Sequence, residues 1–314
     1  MAVARHLVGP HRLAVATTGV TMLLIYVGGV VTNTGSAMAV PDWPTTFGYN
    51  MFTYPWSQMV GGIFYEHSHR LLGSVVGMLT VSLALWIGLA DSRRWMRRLG
   101  LLAVIAVIVQ GILGGLRVLL IDHGFALIHA CLAHAFLSLT VALAVFTSGG
   151  WQACNESPLA SGSRLPARAL ITVALLYLQI VFGALLQHAG ASFDVHLIGA
   201  GLAAIAVVVL AGTTLSEAPE CAWLRRPVLL LLALLTVQFA LGIGAYLARF
   251  TDMQEGAAPL TLLLLPTTHR IAGAAMLATS VVVALRGLRL SATPLFAMEL
   301  NALPSAREKG RVLA

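Results

Sequence analysis

The stretch SHRLLGSVVGMLTVSLALWIGLA, residues 68–90, indicates the fold class of this chain. It is apolar almost throughout, and its single charged side chain, Arg70, stands near the N-terminal end. A helix that spans a bilayer needs about 20 mostly apolar residues. Backbone groups in lipid have no water to bind, so such a run must be helical. Residues 68–90 are therefore predicted to form a transmembrane helix.

The same pattern recurs along the chain. Comparable apolar runs occupy residues 13–32, 99–120, 126–147, 168–187, 195–214, 227–248 and 267–286. The 314-residue chain is 58% hydrophobic and only 10% charged, whereas a soluble domain carries about 25% charged residues. The net charge of +7 does not indicate a nucleic-acid partner, because the arginines cluster in short segments between apolar runs. The composition predicts an all-α integral membrane protein with eight spans in the lipid bilayer.

Arginine bias predicts the orientation of these spans. The arginines concentrate in alternate connections and at both ends of the chain, and the opposite connections carry mostly acidic residues. Both termini are therefore expected in the cytoplasm of a bacterium, with the chain in its cytoplasmic (inner) membrane. Arg5 and Arg12 precede an apolar run without a small-residue cleavage site, so no cleaved signal is expected.

The two halves of the sequence resemble each other. Tyr26-Val27-Gly28-Gly29 corresponds to Val181-Phe182-Gly183-Ala184, and the segment QGILG at 110–114 corresponds to QFALG at 238–242. Small residues allow close helix approach or make room for a flat ligand, and ordinary packing is the alternative interpretation. The repeat predicts two pseudo-symmetric four-helix bundles, residues 1–150 and 151–314. The second would end in a short, mobile cytoplasmic tail after residue 287.

Four histidines stand near the outer ends of the even-numbered spans: His69, His129, His196 and His269. Ionisable residues inside a membrane are rare and usually functional. Two facing imidazoles can supply both axial nitrogens of a haem iron, which pairs His69 with His129 and His196 with His269. Zinc is a weaker interpretation, because no third ligand lies at zinc spacing. His134 is the main rival to His129.

Three arginines are candidate partners for haem propionates, namely Arg70, Arg117 and Arg270. Arginine binds carboxylates through two parallel hydrogen bonds. Two of the three directly follow predicted histidine ligands, and Arg117 ends the third span. The alternative is that these side chains extend to the membrane interface without a ligand.

One carboxylate makes the two predicted sites unequal. Glu66 precedes His69 by three residues, so both lie on one helix face, and Phe193 holds the matching place before His196. A carboxylate beside a haem can move protons, which predicts chemistry at the first site and electron transfer at the second. Alternatively, Glu66 caps the first turn of its helix.

Several segments resemble the haem A synthase family over nearly the whole chain. They are Gly35-Ser36, Pro41-Asp42-Trp43-Pro44, Glu66-His67-Ser68-His69-Arg70, Leu113-Gly114-Gly115-Leu116-Arg117, Ile128-His129-Ala130, Asp194-Val195-His196 and Thr268-His269-Arg270. The resemblance implies oxidation of the C8 methyl group of haem O to the formyl group of haem A, for cytochrome oxidase assembly. It further implies haem O synthase and a quinol or other electron donor as partners.

The resemblance also implies roles for individual residues. Glu66 would be catalytic, His69 and His129 would hold the substrate haem O, and His196 and His269 would hold a haem b that relays electrons. Many members of the family carry a cysteine pair in the first outer loop, whereas residues 33–65 contain no cysteine. Two other functions fit the same histidines: a dihaem electron-transfer cytochrome b, which gives the carboxylate no role, and a haem transporter.

Overall fold

The computed structural model describes residues 7–154 and 156–291, apart from the side chains of residues 253 and 254. Eight of its helices are long and apolar enough to cross a membrane, so the chain is an all-α multi-pass membrane protein, as predicted. They are α1 (Val8–Asn33), α2 (Gly62–Ala90), α3 (Arg94–Leu120), α4 (His123–Thr147), α5 (Leu165–Ala189), α6 (Phe193–Glu217), α7 (Ala222–Phe250) and α8 (Pro259–Ser291). Short helices occupy Met51–Thr53, Trp56–Gln58, Gly149–Ala153 and Met253–Gly256.

The long helices begin several residues before the predicted spans. Hydropathy detects the part of a helix that lies in hydrocarbon, and the helical backbone continues into the more polar ends. The largest difference is in α8, which starts at Pro259 and includes Pro266 in its interior. His269 therefore lies about three turns into its helix, deeper along α8 than the first turn or two that the sequence suggested. The mobile tail was predicted after residue 287, but residues 288–291 belong to α8; the rest of it, residues 292–314, lies outside the described part of the chain.

The helices pack as two closed rings of four. In the first ring α1 contacts α2, α2 contacts α3, α3 contacts α4, and α4 returns to α1; helices α5 to α8 repeat this order. Helices α4 and α8 also lie at the junction between the rings, where α1 meets α8 and α4 meets both α5 and α8. Their central windows are accordingly the most buried, at 44% and 56%. The division into two domains and the symmetry between them stay predictions.

The two rings differ most in the connection between their first two helices. Residues 34–61 join α1 to α2, whereas residues 190–192 join α5 to α6. The long connection, called here the outer loop, lies at the end of the first ring that carries His69. Only the first histidine pair therefore has a long loop beside it.

Candidate functional site

Each of the four predicted histidine ligands lies against a glycine of the preceding helix. A Cβ atom placed on that glycine would approach the imidazole Cε1 at 3.0 Å for Gly28 and His69, 3.3 Å for Gly114 and His129, 3.3 Å for Gly183 and His196, and 3.0 Å for Gly242 and His269. Such contacts are tighter than ordinary van der Waals packing. The glycines of the sequence repeat thus provide seats for the four imidazole rings.

The recurring seat also separates His129 from its rival. His129 lies against a seat glycine like the other three histidines. The Nδ1 atom of His134 instead forms a hydrogen bond with the carbonyl oxygen of Ala130 in its own helix, at 2.8 Å. The structure therefore groups His129, and not His134, with the other predicted ligands. Its role as a metal ligand stays a prediction.

The second histidine pair has the spacing that a shared metal ion requires. The ring centroids of His196 and His269 are 6.3 Å apart, and the ring planes are inclined by 68°. Metal–imidazole bonds of about 2.0–2.1 Å would place two opposed ring centroids about 6 Å apart. The Nδ1 atoms of His69, His129 and His269 are buried without a hydrogen-bond partner. The spacing of the second pair fits a bound group such as haem, and the unpaired Nδ1 atoms are a separate feature, because unpaired buried polar atoms are rare in folded proteins.

Glu66 is buried beneath the outer loop. Only 4% of the residue is exposed; its Oε2 accepts a hydrogen bond from the backbone N–H of Val40 at 2.9 Å, and its Oε1 accepts one from Arg70 at 2.8 Å. Helix α2 begins at Gly62 and has no acidic residue in its first turn. The interpretation of Glu66 as a first-turn cap is therefore wrong, because Glu66 lies beyond the first turn and its carboxylate bonds the backbone N–H of Val40 in the loop and the side chain of Arg70.

Arg70 fastens the outer loop to α2. Its guanidinium donates to the carbonyl oxygens of Asp42 at 2.6 Å, Thr45 at 3.1 Å and Val40 at 2.9 Å, besides the bond to Glu66. Four of the five N–H donors of an arginine are then in use. This anchoring role was not visible in the sequence, and the proposed contact of Arg70 with a propionate has one donor, Nε, left to make it.

His67 is a second anchor of the outer loop. It is only 1% exposed, its Nδ1 lies 3.0 Å from the hydroxyl of Thr46, and its ring packs against Tyr54 with centroids 5.1 Å apart. No role was assigned to His67 from the sequence. Only the fold reveals this role of His67, because its partners Thr46 and Tyr54 lie in a loop without a regular sequence pattern.

Asp42 holds the tip of the outer loop in a tight turn. Its carboxylate accepts hydrogen bonds from the N–H groups of Phe47 and Gly48, at 2.7 and 2.9 Å, and from the Thr45 hydroxyl. Phe47 and Gly48 both have positive φ, 51° and 79°. Partial burial raises the pKa of Asp42, but the hydrogen bonds from Gly48, Thr45 and Phe47 outweigh it and lower the pKa below its ordinary value.

Trp43 connects the same loop to α3. The bare Cα of Gly115 lies under the indole ring, so a Cβ atom there would overlap Trp43. Gly115 adjoins Gly114, the seat of His129. The outer loop is therefore in contact with α2, which carries His69, and with α3, which carries the seat glycine of His129.

Gly115→Ala is expected to displace Trp43 and loosen the outer loop. Overpacking of this kind costs about 1–3 kcal/mol. The measurement is the rate at which a protease cleaves residues 34–61 in detergent-solubilised protein. Gly111→Ala on the same helix is the matched control, since a Cβ there meets nothing within 4 Å; equal cleavage rates in the two variants would contradict the packing argument.

Arg117 and Arg270 are available for an anionic ligand. Neither forms a hydrogen bond or ion pair with any residue that the structure describes, whereas Arg70 uses four of its five N–H donors. The charges of both act on His188, and the guanidinium of Arg270 packs against Gly29 of α1. Two unpaired guanidinium groups near the histidine pairs suit the carboxylates of a haem.

Arg249, which the sequence analysis did not single out, joins the two rings at the same end. It donates to Gln187 of α5 at 2.9 Å and to Asn33 of α1 at 2.6 Å, and Asn33 in turn donates to Thr267 of α8 at 2.8 Å. These contacts link four helices from both halves of the chain. They link the ends of α1, α5 and α7, which carry three of the seat glycines, to α8, which carries His269 and Arg270.

Gly242→Ala is expected to weaken ligand binding at the second pair. The new methyl group would lie 3.0 Å from Cε1 of His269, so the ring must tilt away from the position that faces His196. Overpacking of about 1–3 kcal/mol corresponds to a loss of haem affinity of about 10–100-fold. Haem retained per protein after purification is the measurement. Gly201→Ala, where a Cβ meets nothing within 4 Å, should retain as much haem as the unaltered protein; a similar loss in both would remove the argument for the seat.

Comparison with known proteins agrees with this architecture. Residues 11–196 match the model of the COX15-CtaA family, described as "Cytochrome oxidase assembly protein". That range includes Glu66, His69, His129 and His196, whereas His269 lies beyond it, so the place of His269 depends on the geometry.

Individual relatives give the same result. The chain is 30% identical over 200 residues to "Heme A synthase" of Exiguobacterium sibiricum, which covers 58% of this chain and 62% of that protein. It is 36% identical over 112 residues to "Heme A synthase" of Shouchella clausii, covering 34% of this chain and 35% of the relative. The chain thus matches between about one third and three fifths of the length of these relatives. Because the family model covers more than half of its length, the chain belongs to the COX15-CtaA family of cytochrome oxidase assembly proteins.

Proposed function

We propose that this chain is a haem A synthase, a membrane-bound oxidoreductase that oxidises the C8 methyl group of haem O to the formyl group of haem A for cytochrome oxidase. The observation that carries the proposal is the inequality of two otherwise similar histidine pairs. All four imidazoles lie on glycine seats, but only the first pair has a buried carboxylate, Glu66, three residues before one of its histidines.

In this proposal the first pair, His69 and His129, holds the substrate haem O. Glu66 lies on the same helix face as His69 and is shielded from water by the outer loop. The carboxylate can accept or return a proton at Oε1 or Oε2, the atoms now bonded to Arg70 and Val40. Arg117 and Arg270 would bind the propionates.

The second pair, His196 and His269, would hold a resident haem b. Its imidazoles are 6.3 Å apart, and haem b bound there would supply electron transfer. The matching position to Glu66 is Phe193, whose ring packs against Tyr246 and Phe250, with centroids 4.9 and 5.8 Å apart. A cluster of aromatic side chains in place of a carboxylate suits a site that transfers electrons and does not move protons.

The setting follows from the arginine distribution. We place the histidine ends of the helices on the outer side of a bacterial cytoplasmic membrane, with both termini in the cytoplasm. Haem O synthase as the source of substrate and a quinol or other reductant as the electron donor belong to the same proposal. It also requires an external oxidant, because the change from methyl to formyl removes four electrons that a reductant cannot take up.

The test is to express the chain with a haem O synthase in a bacterium that lacks its own haem A synthase. Extracted haems are separated by chromatography and identified by mass spectrometry. Haem A and its alcohol intermediate are expected, and a host with the empty vector is the control. Haem O that stays unchanged although the protein binds it would overturn the proposal and favour a dihaem cytochrome or a haem transporter.

A further inference from the structure

Three of the four glycine seats carry a glutamine one helical turn earlier. Gln110, Gln179 and Gln238 each precede a seat glycine by four residues, so the amide and the glycine share one helix face. The amide Nε2 of Gln110 lies 3.3 Å from the carbonyl oxygen of His129. That of Gln238 lies 3.4 Å from Nε2 of His269. Each of these glutamines thus contacts the histidine that its own helix seats.

Gln179 shows the arrangement most fully. Its Nε2 lies 3.0 Å from the carbonyl oxygen of His196 and 3.2 Å from the Nδ1 atom of the ring. On the other side, Gly199 leaves room for the amide, because a Cβ atom there would overlap Oε1 of Gln179. The space beside Gly199 is therefore occupied by this amide.

Unpaired atoms point to what these amides do. The Oε1 atoms of all three glutamines are buried without a partner, and so are the Nδ1 atoms of His129 and His269. An imidazole that binds a metal ion through Nε2 carries its proton on Nδ1 and needs an acceptor there. For Gln179, exchange of the two ends of the amide would bring Oε1, the unpaired acceptor, to the place 3.2 Å from Nδ1 of His196 where Nε2 now lies. The same turn toward Nδ1 is part of the inference for Gln110 and Gln238, whose Nε2 atoms lie against the carbonyl oxygen of His129 and against Nε2 of His269. The orientation of an amide is fixed by such hydrogen bonds.

The fourth seat lacks the glutamine. The residue four positions before Gly28 is Leu24, and Nδ1 of His69 is buried without a hydrogen-bond partner. The leucine side chain cannot accept a hydrogen bond from Nδ1–H of His69, so it cannot orient that imidazole ring. His69 is therefore the one predicted ligand without an amide on its seat helix.

We infer that Gln110, Gln179 and Gln238 are positioning residues that accept the Nδ1–H bond of His129, His196 and His269, and that Leu24 leaves His69 as the weakly held, exchangeable ligand. The inference rests on the proposed binding of haem. In the second pair both histidines have a glutamine partner, which suits a cofactor that stays bound. In the first pair only His129 has a glutamine partner, which suits a haem that must enter as substrate and leave as product.

The effect on the second pair is tested with Gln179→Leu and Gln179→Glu. Loss of an outer hydrogen-bond partner typically lowers metal affinity by about 10–100-fold. Without an acceptor the imidazole is less basic and stabilises ferric iron less, so Gln179→Leu should also raise the midpoint potential. Gln179→Glu keeps an acceptor oxygen and should retain haem as the unaltered protein does, at an equal or lower potential.

Gln152→Leu is the matched control. Its amide donates to the carbonyl oxygen of Phe146 at 2.8 Å, in the connection at the opposite helix end, so the substitution also removes one amide hydrogen bond. Haem content and potential should not change in this variant. Leucine and glutamate variants of Gln179 that behave alike would overturn the inference.

The converse test adds the missing amide. Leu24→Gln should slow the dissociation of haem from the first pair by about 10-fold or more, measured by transfer of haem to an excess of apomyoglobin. An unchanged rate would overturn the inference even if a leucine variant of Gln179 failed to fold. Haem binding and the midpoint potential test the role of the glutamines, whereas haem O conversion tests the proposed reaction. The inference about the glutamines can therefore fail while the proposed function holds, and the reverse.

Discussion

Glu66→Ala is expected to reduce the conversion of haem O to haem A by about 100–10,000-fold, the range in which a positioned acid or base contributes to a rate. Haem should stay bound at both pairs, because Glu66 belongs to neither. The measurement is haem A and its alcohol intermediate formed per protein by cells that supply haem O. Conversion at the ordinary rate would exclude Glu66 from the chemistry and favour a dihaem cytochrome.

The control for this experiment must separate chemistry from loop anchoring. Glu66 also accepts the N–H of Val40 and the guanidinium of Arg70, so its removal loosens the outer loop. His67→Ala loosens the same loop, through the contact with Thr46, and leaves the carboxylate in place. A much larger loss in Glu66→Ala than in His67→Ala is expected. Equal losses would assign Glu66 to anchoring of the loop.

His269→Ala is expected to empty the second pair. Removal of a metal ligand should cost more than the 10–100-fold that loss of an outer partner costs, and His196 alone cannot supply both axial nitrogens. The low-spin bis-histidine spectrum of the resident haem should disappear on purification. Conversion of haem O should stop as well, because electrons no longer reach the first pair.

His134→Ala is the matched control for the ligand assignment. His134 is more buried than the predicted ligands, at 5% exposure, and its Nδ1 is bonded to the carbonyl oxygen of Ala130 in its own helix. The variant should keep both haem spectra. Loss of the first haem in His134→Ala but not in His129→Ala would make His134 the ligand.

The sequence came close to the site because the ligands and seats recur. Four histidines at the ends of alternate spans, and glycines at matching places in the spans before them, are visible without a fold. What joined each histidine to one glycine was packing between neighbouring helices. The glutamines were present in the repeat, but only the fold placed each amide against the histidine that its own helix seats.

The sequence did not reveal features that depend on contacts across the chain. Arg70 follows a predicted ligand, which suggested a propionate partner, yet it bonds the carbonyl oxygens of a loop more than twenty positions away in sequence. Glu66 could have capped its helix until Gly62 was found to start α2. Arg249 gave no signal, because its partner Asn33 lies in the other half of the chain.

The sequence by itself determined the membrane class, the eight spans and the four histidines, because the transfer of a side chain into lipid depends on that side chain and its near neighbours. The tertiary structure alone decided which glycine seats which ring, how Arg70 and His67 hold the outer loop, and how Arg249 joins the two rings. Those features are contacts between residues distant in the chain, and their geometry exists only once the helices have packed.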